Sequence, residues 1–321
     1  MNLVMLSDTH LLWDKPIGRT DDLKTVQFDK LKFIFDYAKK TEAKIIIAGD
    51  VFNKPRSWHL LPMVVDFLKG YDPAEVEVMS IFGQHDTYFY SEDTRDKTNL
   101  GVLAKAGLVT ILDENERTRT RSVSFYGCSY GQEIPKVKNK DTFNILAIHA
   151  PIAEKALYPN QNYMDALTFL KEHEDFNLIV CGDIHQKFIK EIKERTATPE
   201  FTKGTRGRYI VNSGPLLRKE ANIYNFTHKP GFWFFDTDKK ETPVFVEVPH
   251  SPAEEVLSRT HIEYEKESNE ILNDFISSVA KTEVDEGSDF VTNLWAFTKA
   301  NNIDQKVVNL LSEVINANKA D

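Results

Sequence analysis

The chain has 321 residues, of which 41% are hydrophobic and 28% are charged, so one large domain and one or two small ones fit its length. No apolar run reaches the roughly 20 residues that span a bilayer, and the first residues lack a basic leader and a cleavage site. These features disfavour membrane insertion and predict no signal peptide. Cys128 and Cys181 lie in strand-like apolar surroundings, which predicts buried free thiols and a cytoplasmic location.

The net charge of -9 is concentrated at one end of the chain. Residues 251–321 hold fourteen acidic and six basic side chains, a charge of -8, so residues 1–250 carry only -1. The stretch 187–219 holds nine basic and three acidic residues, a local charge of +6. Such a run can bind a polyanion, although a solvated hairpin face is the simpler interpretation.

The first half of the chain alternates short apolar runs with amphipathic stretches. Strands are predicted at 3–6, 44–48, 76–81 and 109–112, with helices at 23–39, 60–68 and 99–105. Further strands follow at 123–127, 143–148 and 177–181, with a helix at 163–172. Near-continuous apolar strands separated by helices indicate an α/β protein whose sheets are covered by helices.

The pattern changes after the last of these strands. Residues 188–192, 208–212, 231–236 and 244–248 are predicted strands without intervening helices, which is typical of an antiparallel edge. Ser251-Pro252 marks a boundary, and helices are predicted beyond it at 269–280, 289–300 and 304–317. The organisation is therefore a domain over residues 1–250 and an acidic, mostly helical region over 251–321. Arg117, Arg119 and Arg121 are assigned to an exposed turn.

Five polar motifs follow predicted strands directly, at the edge where open α/β sheets bind ligands. They are Asp8-Thr9-His10, Gly49-Asp50, Gly83-Gln84-His85-Asp86, His149-Ala150-Pro151 and Gly182-Asp183-Ile184-His185. Taken singly, each also fits an ordinary cap, turn or satisfied polar residue. Together they supply carboxylate, amide and imidazole donors in a number that indicates a metal site.

Two of these motifs suggest particular roles. Asp50 has two oxygens and can bridge two metal ions. His85 stands beside the predicted ligands and is suited to protonate a leaving alkoxide, with Asp86 as its expected orienting partner. Asp50 and His85 are therefore the candidate bridging ligand and the candidate general acid.

Over residues 1 to about 250 the chain resembles the calcineurin-like metallophosphoesterases, whose signature has the order Asp-x-His, Gly-Asp, Gly-Asn-His-Asp, His, Gly-His-x-His. The resemblance implies a two-layered β-sandwich flanked by helices, with a C-terminal helical extension. Gln84 stands where the family usually has Asn, and Asp183 where it usually has His. The implied ligands are Asp8, His10, Asp50 and His185 for one metal, and Asp50, Gln84, His149 and Asp183 for the other. The oxygen-rich set favours Mn²⁺, with Mg²⁺ as the alternative.

Within that superfamily the chain resembles the SbcD-type DNA nucleases, including phage recombination endonucleases. The segment Arg208-Tyr209-Ile210-Val211-Asn212-Ser213-Gly214-Pro215, with Glu220 and Lys229-Pro230-Gly231-Phe232-Trp233 after it, is similar to the segment that closes their nuclease domain. The resemblance implies an Mn²⁺-dependent exonuclease and endonuclease of DNA repair and recombination. It also implies an SbcC-type coiled-coil ATPase as partner, and it leaves a homodimer open.

The helices after Ser251 carry apolar residues at helical spacing, and a region of charge -8 is poorly suited to bind DNA itself. These helices either pack on the chain's own core or dock on the partner's coiled coil. Two alternatives remain at this stage: a stand-alone phosphatase or cyclic-nucleotide phosphodiesterase, and a metal-bearing but inactive regulatory module. Trp13 and the pair Trp58-His59 are interpreted as surface-packing aromatics that can also line the mouth of the site.

Overall fold

The computed structural model describes residues 1–114, 117–120, 122–193, 207–239, 241–281 and 290–317. The strands are β1 (Asn2–Leu6), β2 (Ala43–Ile47), β3 (Val78–Ser80), β4 (Thr110–Ile111), β5 (Arg117–Thr120), β6 (Val123–Cys128), β7 (Phe143–Ala150), β8 (Ile152–Ala153), β9 (Met164–Asp165), β10 (Leu178–Asp183), β11 (Phe188–Lys193), β12 (Gly207–Asn212), β13 (Gly231–Asp236) and β14 (Val244–Glu247). The helices are α1 (Leu23–Lys40), α2 (Leu60–Lys69), α3 (Asn99–Lys105), α4 (Ala166–Glu172), α5 (Ile223–Thr227), α6 (Ala253–Val256), α7 (Thr260–Lys281), α8 (Phe290–Ala300) and α9 (Gln305–Ala317).

Two six-stranded sheets form the first compact unit, Met1–Ser258. The first has the order β14-β13-β1-β2-β3-β4, and its strands β1 to β4 are parallel. The second has the order β11-β12-β10-β7-β6-β5, with β6, β7, β10 and β12 parallel. Each sheet therefore has a parallel centre, and the carboxyl ends of its central strands meet at one edge.

The two sheets pack face to face through a shared apolar core. Alternate residues of β1 and β2, such as Met5 and Ile46, contribute from the first sheet, and Phe125, Ile145 and Val180 contribute from the second. All five of these residues are at most 1% exposed. At about 25 cal/mol per Å² of buried apolar surface, this layer is a major source of stability for the fold.

Helices cover the outer face of each sheet. Val4 and Ile45, which point away from the shared core, pack with residues of α1 and α2 such as Ile34 and Val64. On the other side, α4 covers the second sheet through residues such as Phe169. The sequence alternation thus produces the expected sandwich of two sheets flanked by helices, and the predicted fold class is confirmed.

Three sequence-based expectations differ from the structure. β12 is not part of a continuous antiparallel edge, because it pairs in parallel with β10 and only β11 runs antiparallel to it. Arg117–Thr120 is a strand at the edge of the second sheet, not a turn, because it pairs antiparallel with β6; Arg121 lies outside the described residues. The helix predicted from residue 269 begins earlier, at Thr260. The sequence did not predict its first turns because residues 260–268 are strongly charged and show no apolar stripe.

The second compact unit is Arg259–Asp321 and contains α7, α8 and α9. The first unit extends a few residues beyond Ser251-Pro252, because α6 is held within it: the Thr20 N–H donates to Val256 O at 3.1 Å and the Ser258 N–H to Gly18 O at 2.9 Å. No helix in the described ranges is long and apolar enough to cross a bilayer. Cys128 and Cys181 are buried free thiols, as predicted.

Candidate metal centre

All five polar motifs lie at the carboxyl ends of central strands, three from the first sheet and two from the second. Asp8 and His10 follow β1, Asp50 follows β2, and Gln84 follows β3. In the other sheet, His149 and Asp183 lie at the ends of β7 and β10, where Gly182 is paired with His149. The packing of the two sheets therefore brings donors from distant parts of the chain to one edge.

Several residues at this edge have a strained backbone. Asp8, His10, Asp50 and Asp183 have φ values of 50°, 44°, 51° and 95°, in the left-handed region that non-glycine residues seldom adopt. Such conformations cost of the order of 1 kcal/mol each and persist where the surroundings enforce them. Four of the seven predicted ligands have such a backbone, and this concentration of strain is typical of a functional site.

Two glycines allow the motifs to approach each other closely. A Cβ at Gly49, which has a φ of 82°, would lie 2.4 Å from Nδ1 of His149. A Cβ at Gly83 would lie 2.1 Å from Oδ1 of Asp50. Any side chain at these positions would displace a predicted ligand, so both glycines are required for the geometry of the site.

The imidazoles and carboxylates converge at distances expected of ligands to shared ions. Nε2 of His10 lies 2.9 Å from Nε2 of His185, and Nε2 of His185 lies 3.5 Å from Oδ1 of Asp8. Oδ2 of Asp50 lies 3.6 Å from Nε2 of His10 and also 3.6 Å from Nε2 of His149. Asp50 therefore stands between two groups of donors, as a bridging ligand must.

Several of these donor atoms are buried and lack a hydrogen-bond partner. They are Asp8 Oδ2, Asp50 Oδ2, Gln84 Oε1 and His149 Nε2, together with His10 Nδ1. A buried polar atom without a partner is costly, and metal coordination would remove that cost for the oxygens and for Nε2. Three overlapping sets of potential ligands occur here: Asp8 with His10 and His185, Asp8 with Asp50 and His149, and His10 with Asp50 and His85. The residues therefore fit a pair of divalent cations.

The charges of the site are poorly compensated without a cation. Burial raises the pKa of Asp50 to about 7, and the neighbouring Asp86 and Asp8 carboxylates contribute to the rise. Burial lowers the pKa of His149, but Asp50 and Asp8 outweigh it and raise the pKa overall. Carboxylates packed this closely are stabilised by a bound cation.

The two residues that depart from the family pattern contact each other. Nε2 of Gln84 donates to Oδ1 of Asp183 at 2.6 Å, and Oε1 of Gln84 remains without a partner. The backbone N–H of Asp183 donates to Oδ1 of Asp8 at 3.2 Å. Asp183 is thus held at the site, but its carboxylate faces Gln84 and is not part of the three donor sets formed by the described imidazoles and carboxylates.

His85 and Asp86 have different partners from those expected. Asp86 is buried and accepts hydrogen bonds from the backbone N–H groups of Val51, Phe52 and Gly83 at 3.0–3.2 Å. It therefore ties the second and third motifs together and does not orient His85. Asp86 does not contact His85 as expected, because adjacent residues in a tight turn project their side chains in different directions.

A backbone carbonyl takes the orienting role. Nδ1 of His85 lies 3.1 Å from the carbonyl oxygen of Asn53, which can only accept, so Nδ1 carries the proton. Nε2 of His85 lies 4.0 Å from Oδ2 of Asp50, and the side chain is 44% exposed. His85 is more exposed than the other described imidazoles of the site, which suits contact with a substrate.

Lys219 lies beside the site, and the sequence did not single it out as a candidate. Its ammonium donates to Oδ1 of Asn53 at 2.5 Å, and its charge lowers the pKa of His10 and His85. The segment that carries it packs on the first motif, since the Leu216 N–H donates to the carbonyl oxygen of Asp8 at 3.3 Å. The signal was present in the basic run, but nothing in the sequence separates Lys219 from the other cations there.

The rest of the basic run does not form one exposed face within the described residues. Arg208 is buried and donates to the carbonyl oxygen of Leu170, and Lys190 pairs with Glu154 at 2.5 Å. Arg195, Lys203 and Arg206 lie outside the described residues. Among the described cations of this run, Lys219 is largely buried beside the site. Its charge lowers the pKa values of His10, His85 and His185.

The fold and the clustered donors define an α/β protein with a candidate metal centre at the sheet edge. Residues 1–187 match the family model of the calcineurin-like phosphoesterases. Because that match covers more than half of the chain and spans all five motifs, the chain belongs to this family.

Solved structures give a more distant likeness. TT1561 of Thermus thermophilus has 13% sequence identity and a TM-score of 0.44, covering 77% of this chain and 99% of that one. A second crystal structure has 9% identity and a TM-score of 0.45 with the same coverage. The comparison with curated proteins found no match.

Proposed function

We propose that the chain is a metal-dependent phosphodiesterase that cleaves DNA, with Mn²⁺ as its preferred ion. The observation that carries this proposal is the set of buried, unpartnered donor atoms around Asp50. Oxygen donors outnumber nitrogen donors in the proposed ligand set, which favours Mn²⁺ or Mg²⁺ over softer ions.

The proposed ligands divide into two sets that share Asp50. Asp8, His10, Asp50 and His185 would hold one ion, and Asp50, Gln84, His149 and Asp183 the other. When bound, such a pair supplies charge neutralisation of the phosphoryl oxygens and lowers the pKa of an attacking water. Asp183 would join its set if its carboxylate turned from the Gln84 amide to the ion.

His85 supplies the proton for the leaving oxygen. The Asn53 carbonyl fixes the protonated Nδ1 outward, so Nε2 is the atom directed to the site. Burial is the largest cause that lowers the pKa of His85, and the hydrogen bond with the Asn53 carbonyl acts against it. The charges of Lys219 and of the neighbouring histidines lower the pKa further. An anionic phosphodiester beside the ring acts in the opposite direction and favours the imidazolium that donates the proton.

DNA is the proposed substrate because the closing segment, which resembles that of SbcD-type nucleases, is packed against the first motif. Ser7 N–H donates to Oγ of Ser213 at 3.0 Å, and Trp233 Nε1 donates to the carbonyl oxygen of Asn212 at 2.9 Å. This packing brings Lys219 to the site, where a cation favours a polyanionic substrate.

The second compact unit is proposed to bind an SbcC-type coiled-coil ATPase. Ile271 and Leu272 of α7 and Leu310 of α9 are 41–58% exposed, and such apolar residues at helical spacing suit helix-in-groove docking. Co-purification of the full chain with a coiled-coil ATPase, lost on changing these three residues to Ser, tests this part of the proposal.

One experiment separates the substrate classes. The metal-loaded protein is incubated with a labelled DNA hairpin and, separately, with p-nitrophenyl phosphate and bis(p-nitrophenyl) phosphate. Mn²⁺-dependent cleavage of the hairpin supports the nuclease. Hydrolysis of the small esters alone would instead indicate a stand-alone phosphatase or phosphodiesterase, and metal binding without either activity would indicate a regulatory module.

A further inference from the structure

A cleft of about 250 Å³ lies between the loops that follow β1 and β2. Its walls are the loop after β1, residues 11–14, and the loop after β2, residues 53–59. The two walls are held together by a short parallel bridge: the Leu11 N–H donates to Val51 O and the Asn53 N–H donates to Leu11 O, both at 2.9 Å. Backbone hydrogen bonds therefore fix the two walls relative to each other.

Aromatic rings line this cleft and remain open to solvent. Trp58 is 74% exposed, and Trp13 is 38% exposed and lies 5.0 Å from the ring of His59 at an interplanar angle of 30°. Trp58 therefore offers an exposed aromatic face on one wall of the cleft, and Trp13 on the other wall contacts His59.

Cations are placed against these rings. The guanidinium of Arg56 lies 5.5 Å from the ring centres of both Trp58 and Tyr88, and Nζ of Lys24 lies 4.6 Å from that of Trp13. In the ranges that the structure describes, no carboxylate lies within ion-pair distance of Arg56. Lys54, by contrast, is paired with Asp14 at 3.2 Å. Arg56 is thus held by aromatic contacts and keeps its charge available for an anion.

The cleft is joined directly to the proposed general acid. Asn53, whose carbonyl orients His85, is one of the residues that line it. Tyr88, which shares Arg56 with Trp58, lies three residues after His85, and the next residue, Phe89, is 93% exposed with a φ of 52°. A group bound in the cleft would lie on the side from which the leaving oxygen is protonated.

We propose that this cleft binds an unpaired nucleotide of the DNA strand on the leaving-group side of the scissile phosphate. Its base stacks on Trp58, with Trp13 on the opposite wall, and Arg56 pairs with the adjoining phosphate. The inference rests on the proposed nuclease function and specifies its substrate as a strand with an unpaired base at the site.

The chemistry of the cleft favours a nucleotide over an apolar protein segment. Every base has a π-face, and base–aromatic stacking contributes about 1–3 kcal/mol per base, while Arg adds cation–π and phosphate contacts. A protein segment would require a continuous apolar surface, whereas here the rings alternate with Lys24, Lys54 and Arg56. The cleft also continues from the metal centre, where the phosphate must lie.

Binding is tested first, without reference to turnover. Oligo(dT) is titrated into the metal-free protein while tryptophan fluorescence is followed. We expect quenching for the wild type and loss of most of it in Trp58→Phe. The dissociation constants of the two variants, measured by the fluorescence anisotropy of labelled oligo(dT), should differ, with Trp58→Leu binding about tenfold more weakly than Trp58→Phe. Trp58→Phe keeps a stacking ring and Trp58→Leu does not, so the pair separates stacking from general apolar contact. Equal affinity of both variants would overturn the proposal and point to a protein partner for the cleft.

Cleavage distinguishes failure of this inference from failure of the proposed function. On an oligonucleotide the Trp58→Leu change should raise KM about tenfold, and a substrate with an abasic site at the leaving nucleotide should reduce that penalty. If wild-type protein cleaves DNA but Trp58→Leu is unimpaired on both substrates, the cleft assignment is wrong and the nuclease stands. If wild-type protein hydrolyses only small esters, both proposals fail.

Discussion

Nδ1 of His85 lies 3.1 Å from the backbone carbonyl oxygen of Asn53, three residues after the bridging candidate Asp50. A carbonyl oxygen only accepts, so it fixes one tautomer of the imidazole and directs Nε2 to the site. The orientation of the proposed general acid thus depends on the backbone of the second motif, which Asp86 holds through the N–H groups of Val51 and Phe52.

His85→Ala should lose most turnover on DNA while retaining metal binding. General acid catalysis contributes about 10²–10⁴-fold when the leaving group is a poor alkoxide. We therefore expect a loss of that size on an oligonucleotide and a loss below about tenfold on bis(p-nitrophenyl) phosphate, whose leaving group needs no proton. Initial rates on both substrates, with metal content measured in parallel, test this expectation.

The control for that variant is His173→Ala, a histidine at the end of α4 that lies outside both the donor groups and the cleft. Equal losses on both substrates would show that His85 acts by holding metal or substrate, and undiminished activity on DNA would remove it from the mechanism altogether.

The sequence predicts the strand-end motifs because they depend on local rules: an apolar strand followed by a polar residue at the sheet edge, with a glycine at the strand exit in three of the five motifs. Asp8, Asp50 and His149 are found where those rules place them. Asn53 and Lys219 were not identified, because their contact joins residues 166 positions apart and depends on how the closing segment packs. The orienting partner of His85 was wrongly assigned to Asp86 for a related reason, since adjacency in sequence does not determine side-chain direction.

Asp50→Asn should lose both metal ions. Because Asp50 stands between the two donor groups, its replacement removes one charged ligand from each. We expect two equivalents of Mn²⁺ for the wild-type protein, close to none for the variant, and loss of the metal-induced rise in Tm. At 100 times Kd that rise corresponds to about 2.7 kcal/mol of stabilisation per site. Asp14→Asn, a change at an exposed carboxylate, is the matched control; retention of one full equivalent by Asp50→Asn would show that the sites do not share this ligand.

The same variant gives a pH prediction for the metal-free protein. Because burial raises the pKa of Asp50 from 3.8 to about 7, the folded state binds more protons than the unfolded state between these values. Its contribution to the free energy of unfolding is therefore fully favourable below the unfolded pKa and falls as pH rises through the window, by about 4 kcal/mol as an upper limit. Asn does not titrate, so the stability of Asp50→Asn relative to wild type should increase from about pH 4 to about pH 7. A pH-independent difference in denaturant unfolding would contradict this.

Lys219→Met should lower kcat about tenfold through His85. The Lys219 ammonium donates to the Asn53 side chain at 2.5 Å and so holds this residue in place. The carbonyl oxygen of the same residue orients the imidazole of His85. If Lys219 acts in this way, the substitution should have little further effect in a His85→Ala background, whereas independent roles would give multiplied losses. Lys219→Arg should restore part of the activity. The corresponding change at Lys32, an exposed cation on α1, serves as the control.

The pair Gln84 and Asp183 should behave as a coupled unit in metal selection. Nε2 of Gln84 donates to Oδ1 of Asp183 at 2.6 Å, so the two residues that are atypical of the family contact each other. Asp183→His alone removes the acceptor of the Gln84 amide and adds a nitrogen donor, while the double change with Gln84→Asn recreates the usual donor set. We expect the double variant to bind Zn²⁺ more tightly relative to Mn²⁺ than wild type does, because imidazole suits Zn²⁺ better than carboxylate. Dissociation constants for both ions across the four proteins give the coupling energy, expected at about 0.5–3 kcal/mol for residues in contact. Additive effects of the two substitutions would show that neither the Gln84–Asp183 hydrogen bond of the metal-free protein nor a shared ion couples the two side chains.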